Sequence, residues 1–163
     1  EIDGHDLRDM EFRDLRSAVA VVRYNEVFSG TIAENVAMGR AGIGALEVKR
    51  ALMLAGLLEA VSALPDGANT QVSTYGLPLS YGQSMRLALA RAIAGNPRLL
   101  ILDEVLDQVD EPNMRAQLIA NLFSRSMPWT VIVATENPAI LAECDRVVEI
   151  RGRRIEEAGA RSK

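Results

Sequence analysis

Aromatic residues make up only 4% of the 163 residues, and no stretch offers a platform on which bases could stack. A basic block is missing too. Net charge is −4, with 18 Lys and Arg against 22 Asp and Glu, which argues against a protein that grips the phosphate backbone of nucleic acid. "RGRR" (151–154) is too short to change this and reads as a solvated turn. The single cysteine, Cys144, excludes an intrachain disulfide framework and points to a reducing compartment. It has no Cys or His near it in sequence, so no metal site is expected there. The one histidine, His5, reads as an exposed surface residue. No apolar run approaches a membrane span, and no signal peptide opens the chain.

What remains is ordinary globular material: 48% apolar and 25% charged residues, at a length that suits one domain with a real core. The opening "EIDGHDLRDM" reads as the tail of a strand and a turn, so a truncated start is expected. "LRSAVAVV" (15–22), "RLLILDE" (98–104) and "TVIVAT" (130–135) read as buried strands. Helices are expected over 29–39, entered through Ser29 or Thr31, over 45–64, over 80–94 and over 137–144. One more is expected over 110–125, with Asp110 as N-cap and Pro112 in its first turn. A hairpin turning at Arg151-Gly152 closes the pattern. Short apolar strands alternating with helices specify an α/β fold, a mostly parallel sheet flanked by helices.

Two places carry chemistry. In "RLLILDEVLDQVD" (98–110) a strand runs into Asp103 and Glu104, with Asp107 and Asp110 following. Ligands of open α/β sheets sit outside the carboxyl ends of the strands, where an Asp can hold Mg²⁺ and a neighbouring Glu can polarise a water. Capping the next helix, or facing solvent, would explain the same carboxylates. In "LSYGQ" (79–83), Ser80 and Gln83 have capping-box spacing. Starting a helix would explain that spacing, but a helix N-terminus with a hydroxyl and a Gly is also a ready anion site.

Joined, the two places are far more specific. "LSYGQSMRLALARAIAGNPRLLILDE" resembles the signature-helix-to-Walker-B block of ATP-binding cassette (ABC) ATPases, without an insertion. Leu79, Ser80, Gly82 and Gln83 match the signature, with Tyr81 in place of its first Gly. Asp103 and Glu104 match the Walker B pair, and "LDQVD" stands where the D-loop stands, making Asp110 its Asp. "VFSGTIAENVAMG" and "LPDGANTQVSTYGLPLS" are similar to the exporter subtype. The resemblance implies a P-loop NTPase-like ABC ATPase: a helical signature subdomain over about 40–95, and a RecA-like core over 1–39 and 96–163. It implies ATP and Mg²⁺ as cofactors, with Mg²⁺ on Asp103 and Glu104 as the catalytic base or water-positioning group. Two such domains would sandwich two ATP molecules head to tail, so Ser80, Gly82 and Gln83 would receive a partner's γ-phosphate and Asp110 would communicate across the dimer. The implied partners are a second ABC ATPase domain, in a homo- or heterodimer, and the transmembrane domains of a transporter at the cytoplasmic face of the inner membrane; no nucleic acid is implied.

The departures are equally specific. No G-x-x-x-x-G-K-[ST] occurs in the 163 residues, so they are expected neither to bind ATP tightly nor to hydrolyse it alone. Tyr24, or Arg23 under a one-residue shift, stands where the family has its Q-loop glutamine. Glu136 stands where it has its switch histidine, and a carboxylate there would repel phosphate. Three outcomes stay open: one half of an asymmetric pair, a slow ATPase, or a non-hydrolytic interaction domain.

Overall fold

The three apolar runs read as buried strands meet in one parallel sheet. The computed structural model describes residues 4, 6, 8–23, 26–152 and 154–160; His5 and Tyr24 lie outside the described residues. Strands β1 (Val19–Val22), β4 (Leu99–Asp103) and β5 (Thr130–Ala134) lie in the order β1-β4-β5. Val22 pairs with Leu102, and Asp103 with Ala134. Ladder spacing in a parallel sheet puts register partners on the same face. One face therefore carries Val22, Leu100, Leu102, Val131 and Val133 into the core. The other carries the in-register row Val21, Ile101 and Ile132, whose outer members are half exposed. Among the described residues β1 and β5, read as buried strands, are therefore buried on one face only.

Helices α1 (Phe12–Ala18), α2 (Ile32–Ala37), α3 (Ala45–Leu54), α4 (Leu58–Ser62) and α5 (Tyr81–Ala94) cluster before β4, with α6 (Pro112–Leu122) and α7 (Pro138–Leu141) after it. The strand expected over 15–22 is shorter than read: residues up to Ala18 are helical. Arg13, Asp14 and Arg16 keep that segment exposed, and no residue of α1 is buried, so only the apolar tail enters the sheet. The helix expected over 29–39 starts later, after a short β2 (Gly30–Thr31) that pairs with β3 (Gln71–Val72). Thr31 is its N-cap, with a full capping box to Glu34. The helix expected over 45–64 breaks at Gly56, whose φ of +63° lets Leu57 N–H reach back to the Leu52 carbonyl. Periodicity missed this break because apolar residues continue through it.

Pro112 opens α6, but its N-cap is Glu111, which makes no side-chain cap; Asp110 lies outside the helix. β6 (Arg146–Arg151) and β7 (Arg154–Ala160) form the hairpin, with Gly152 at φ +52° in the turn. One continuous core joins the helices to the sheet, centred on Ile32, Leu52, Leu87, Leu89, Leu100 and Leu102. At roughly 1.5–3 kcal/mol per buried aliphatic side chain, this shared core locks α5 to α2, α3 and β1.

Candidate functional site

Because β1, β4 and β5 are parallel, their carboxyl ends share one edge of the sheet, the edge at which α/β proteins bind ligands. Arg23 follows β1 directly, and Asp103 ends β4. Their strands are in register, so the Arg23 Nε donates to Asp103 Oδ2 at 2.7 Å. Glu104 comes next with φ +57°, and its N–H donates to the Ala134 carbonyl at 3.0 Å. A non-glycine residue held there costs on the order of 1 kcal/mol, and here the conformation turns the chain out of the strand with an exposed Glu carboxylate at the bend.

The turn after Glu104 is anchored by buried Val105, Leu106 and Val109. Arg115 of α6 reaches back to it, donating to the Leu106 carbonyl at 3.2 Å and to the Val109 carbonyl at 2.6 Å. Asp110 therefore stands, exposed, just beyond a fixed loop. Inside the turn, Asp107 Oδ1 accepts from the Thr135 hydroxyl at 2.7 Å, and Thr135 Oγ1 accepts from Asn137 N–H at 3.0 Å. The other oxygen, Asp107 Oδ2, is shut away from solvent with no hydrogen-bond partner among the described residues. This chain of bonds ties the loop after β4 to the loop after β5, while Glu136 stays exposed.

The signature segment sits at the start of α5. Ser80 Oγ accepts from Gln83 N–H at 3.2 Å, and Gln83 Oε1 accepts from Ser80 N–H at 2.8 Å. The capping box is thus real, and it leaves the Ser80 hydroxyl proton and the Tyr81 and Gly82 N–H groups as the donors an anion could use. Tyr81 is 57% exposed. Gly82 is helical and has open space where a Cβ would lie, so its backbone can be approached closely. Leu79 is buried beneath this turn, and Gly76, at φ +85°, leaves no room for a Cβ, which would lie 2.6 Å from Ser84 Oγ. Helix capping and anion reception are therefore compatible at one place.

Three arginines fix α5 by donating to carbonyls. Arg86 reaches the Gly56 carbonyl at 2.6 Å. Arg91 donates to Asn35 O, Asn35 Oδ1 and Glu26 O, all within 2.9 Å, and stacks 4.7 Å from the Phe28 ring centre. Arg40 bridges the Val36 and Arg91 carbonyls. Buried Asn35 completes the node by donating to the Phe28 and Thr31 carbonyls.

Of the residues singled out in the sequence, Asp103, Glu104 and Glu136 follow the ends of adjacent strands, Asp110 follows the pinned turn, and Leu79 to Gln83 form the helix entry; Tyr24 is outside the described residues. Thr135, Asp107 and Arg115 were not picked out as site residues. A polar residue directly after a buried strand was the available signal for Thr135. Among the described residues no three acidic, His or Cys side chains converge as a metal site, and Asp103 is already ion-paired with Arg23. With Arg23 on Asp103, the carboxylate expected to hold Mg²⁺ is engaged by another cation.

Comparison with known proteins bears on the family and the fold. The family described as ABC transporter matches residues 1–107. The chain is 36% identical over 159 residues to an uncharacterized ABC transporter ATP-binding protein of Bacillus subtilis, covering 97% of this chain and 28% of that protein. It is 38% identical over 162 residues to an ATP-dependent lipid A-core flippase of Cupriavidus pinatubonensis, covering 97% and 27%. A solved bacterial Atm1-family ABC exporter with ATP bound superposes with a TM-score of 0.84 at 27% identity, covering 94% of this chain and 27% of that one. The chain thus spans little more than a quarter of the length of these relatives. No described helix is long and apolar enough to cross a membrane. A match over residues 1–107 together with the shared fold shows that the chain belongs to the ABC transporter family, as an exporter-type ATPase domain.

Proposed function

We propose that this chain is part of the ATP-hydrolysing domain of an exporter-type ABC transporter, and that it couples ATP binding and hydrolysis at a head-to-tail domain dimer to movement of a substrate across a membrane. The observation that carries this reading is the entry to α5, where Ser80 and Gln83 cap the helix and still leave a hydroxyl proton and two backbone N–H groups presented at an open surface. Such a turn receives an anionic oxygen, and its dipole favours one. The γ-phosphate held by a second ABC domain is the ligand that the family membership suggests. Glu104, exposed beyond β4, orients or deprotonates the water that attacks that phosphate's counterpart on its own side. Asp110 lies on a loop rigid enough to report one site's state to the other. Tyr24 and Glu136 stand at the Q-loop and switch positions. The membrane domains would place the whole at the cytoplasmic face.

The test is ATP turnover by the full-length protein in lipid, with Glu104→Gln beside the wild type. Binding of labelled ATP with loss of turnover in Glu104→Gln is expected; turnover that survives this change ends the catalytic role given to Glu104. The 163 residues alone, which contain no phosphate-gripping glycine loop with its lysine, are expected to show no turnover. A second reading, a non-hydrolytic domain supporting an active partner, is favoured by the Arg23–Asp103 ion pair. It predicts ATP binding with no turnover even in the wild type.

A further inference from the structure

We propose that Arg23 is a resident counter-ion of Asp103: a tethered guanidinium that takes up the carboxylate to which a divalent cation would otherwise be drawn. The inference rests on reading this edge as the nucleotide site and names what that half of the site takes, a nucleotide anion not complexed to metal at Asp103.

Strand register enforces the pairing. Val22 and Leu102 are partners, so the next residue of each strand stands beside the other at the sheet edge, and the 2.7 Å Nε–Oδ2 distance is that of a charge-assisted hydrogen bond. Both Cα positions are set by the ladder or adjoin it, so the pairing is local even though the Arg23 side chain stays 59% exposed. Arg23 also lines, with Arg16, Arg40 and Arg91, a cavity of about 500 Å³ that Asp103 does not line; Glu26 is the only carboxylate among its described lining residues. A second cation entering near Asp103 would meet Arg23 at close range, whereas a phosphate oxygen would be attracted to it. No three acidic, His or Cys side chains among the described residues converge to outbid the arginine.

The test counts free Mn²⁺ by electron paramagnetic resonance in titrations of the full chain without nucleotide. The proteins compared are the wild type, Asp103→Asn, Arg23→Gln, Arg23→Lys, and Arg23→Gln combined with Asp103→Asn. Arg23→Gln is expected to gain a site about tenfold tighter than the wild type offers at this edge, given the strength of one nearby charge on a doubly charged ion. The gain should vanish in the double variant and be absent in Arg23→Lys, which keeps the charge. An Arg23→Gln protein that gains no site, or a gain that survives Asp103→Asn, overturns the proposal. If circular dichroism shows Arg23→Gln to be misfolded, the wild type against Asp103→Asn decides: equal Mn²⁺ binding is expected, and weaker binding in Asp103→Asn overturns it. The probe is the metal alone, so failure here is separate from failure of the nucleotide reading, which would appear as no ATP binding by the full-length protein.

Discussion

Gly82 and Glu104 each hold a position that stability alone would fill differently. Gly82 lies in the first turn of α5 with open space at its Cβ, so Gly82→Ala should raise stability, by less than the roughly 0.5–1 kcal/mol that a mid-helix glycine costs. The added methyl stands where an anion would approach, so ATP turnover by the full-length dimer should fall although the melting temperature rises. Glu104 is held at φ +57°, and Glu104→Gly should stabilise by about 1 kcal/mol in denaturant titration while removing the proposed base. Glu104→Gln, with the backbone strain kept, should leave stability unchanged. Gly76→Ala should do the opposite, costing roughly 1–3 kcal/mol because its Cβ would lie 2.6 Å from Ser84 Oγ at an unfavourable φ. At this scale the signature and the paired carboxylates were legible because their chemistry is local in sequence. The Thr135–Asp107 bond spans 28 residues and the Arg23–Asp103 pair 80, and no local pattern announces a contact at such separation.

At the scale of elements, the cap at Ser80 was legible, the N-cap expected at Asp110 falls instead on Glu111, and the breaks were the least legible. Thr31 with Glu34 and Ser80 with Gln83 are reciprocal boxes whose i, i+3 spacing is local in sequence. The end of α3 at Gly56 could not be read from periodicity, since the turn is set by one left-handed glycine and by Leu57 N–H reaching Leu52. The Glu34 carboxylate accepts the Thr31 backbone N–H and is held below its ordinary value of 4.5 by that bond and by the Thr31 hydroxyl interaction. A depressed acid stabilises the folded state above its unfolded value and loses that contribution as pH falls through the folded one. Glu34→Gln should therefore flatten the drop in melting temperature on acidification below 4.5, relative to wild type. Arg91 joins α5 to α2 and to the loop after β1, through three acceptors within 2.9 Å. Arg91→Ala should cost about 1–3 kcal/mol, since it removes the donor to the carbonyl of buried Asn35, and Arg91→Lys should recover little, because a compact ammonium lacks the spread of the guanidinium fork.

For the whole molecule, one core runs from α3 through α5 to the sheet, so unfolding should be a single event. The only tryptophan, Trp129, lies buried between α6 and β5 with Nε1 donating to the Leu122 carbonyl at 2.9 Å. Its emission and the far-ultraviolet helix signal should therefore change at the same denaturant concentration; separated midpoints would mean that the helices and the sheet unfold independently. The α/β class was legible from strands alternating with helices. That β1 and β5 would leave Val21 and Ile132 half exposed was not, because the pattern of a strand with both faces covered says nothing about which neighbour does the covering. The arginine node at the end of α5 has a mechanical side. Arg91 and Arg40 fasten the helix near its carboxyl end, and the rise from Ser80 to Arg91 makes an arm of about 16 Å with Ser80 at the tip. A tilt of roughly 7° about that fulcrum would carry the tip through about 2 Å, enough to make or break a hydrogen bond. Through the Arg86 bond to Gly56, the same tilt would draw the end of α3 along with the arm.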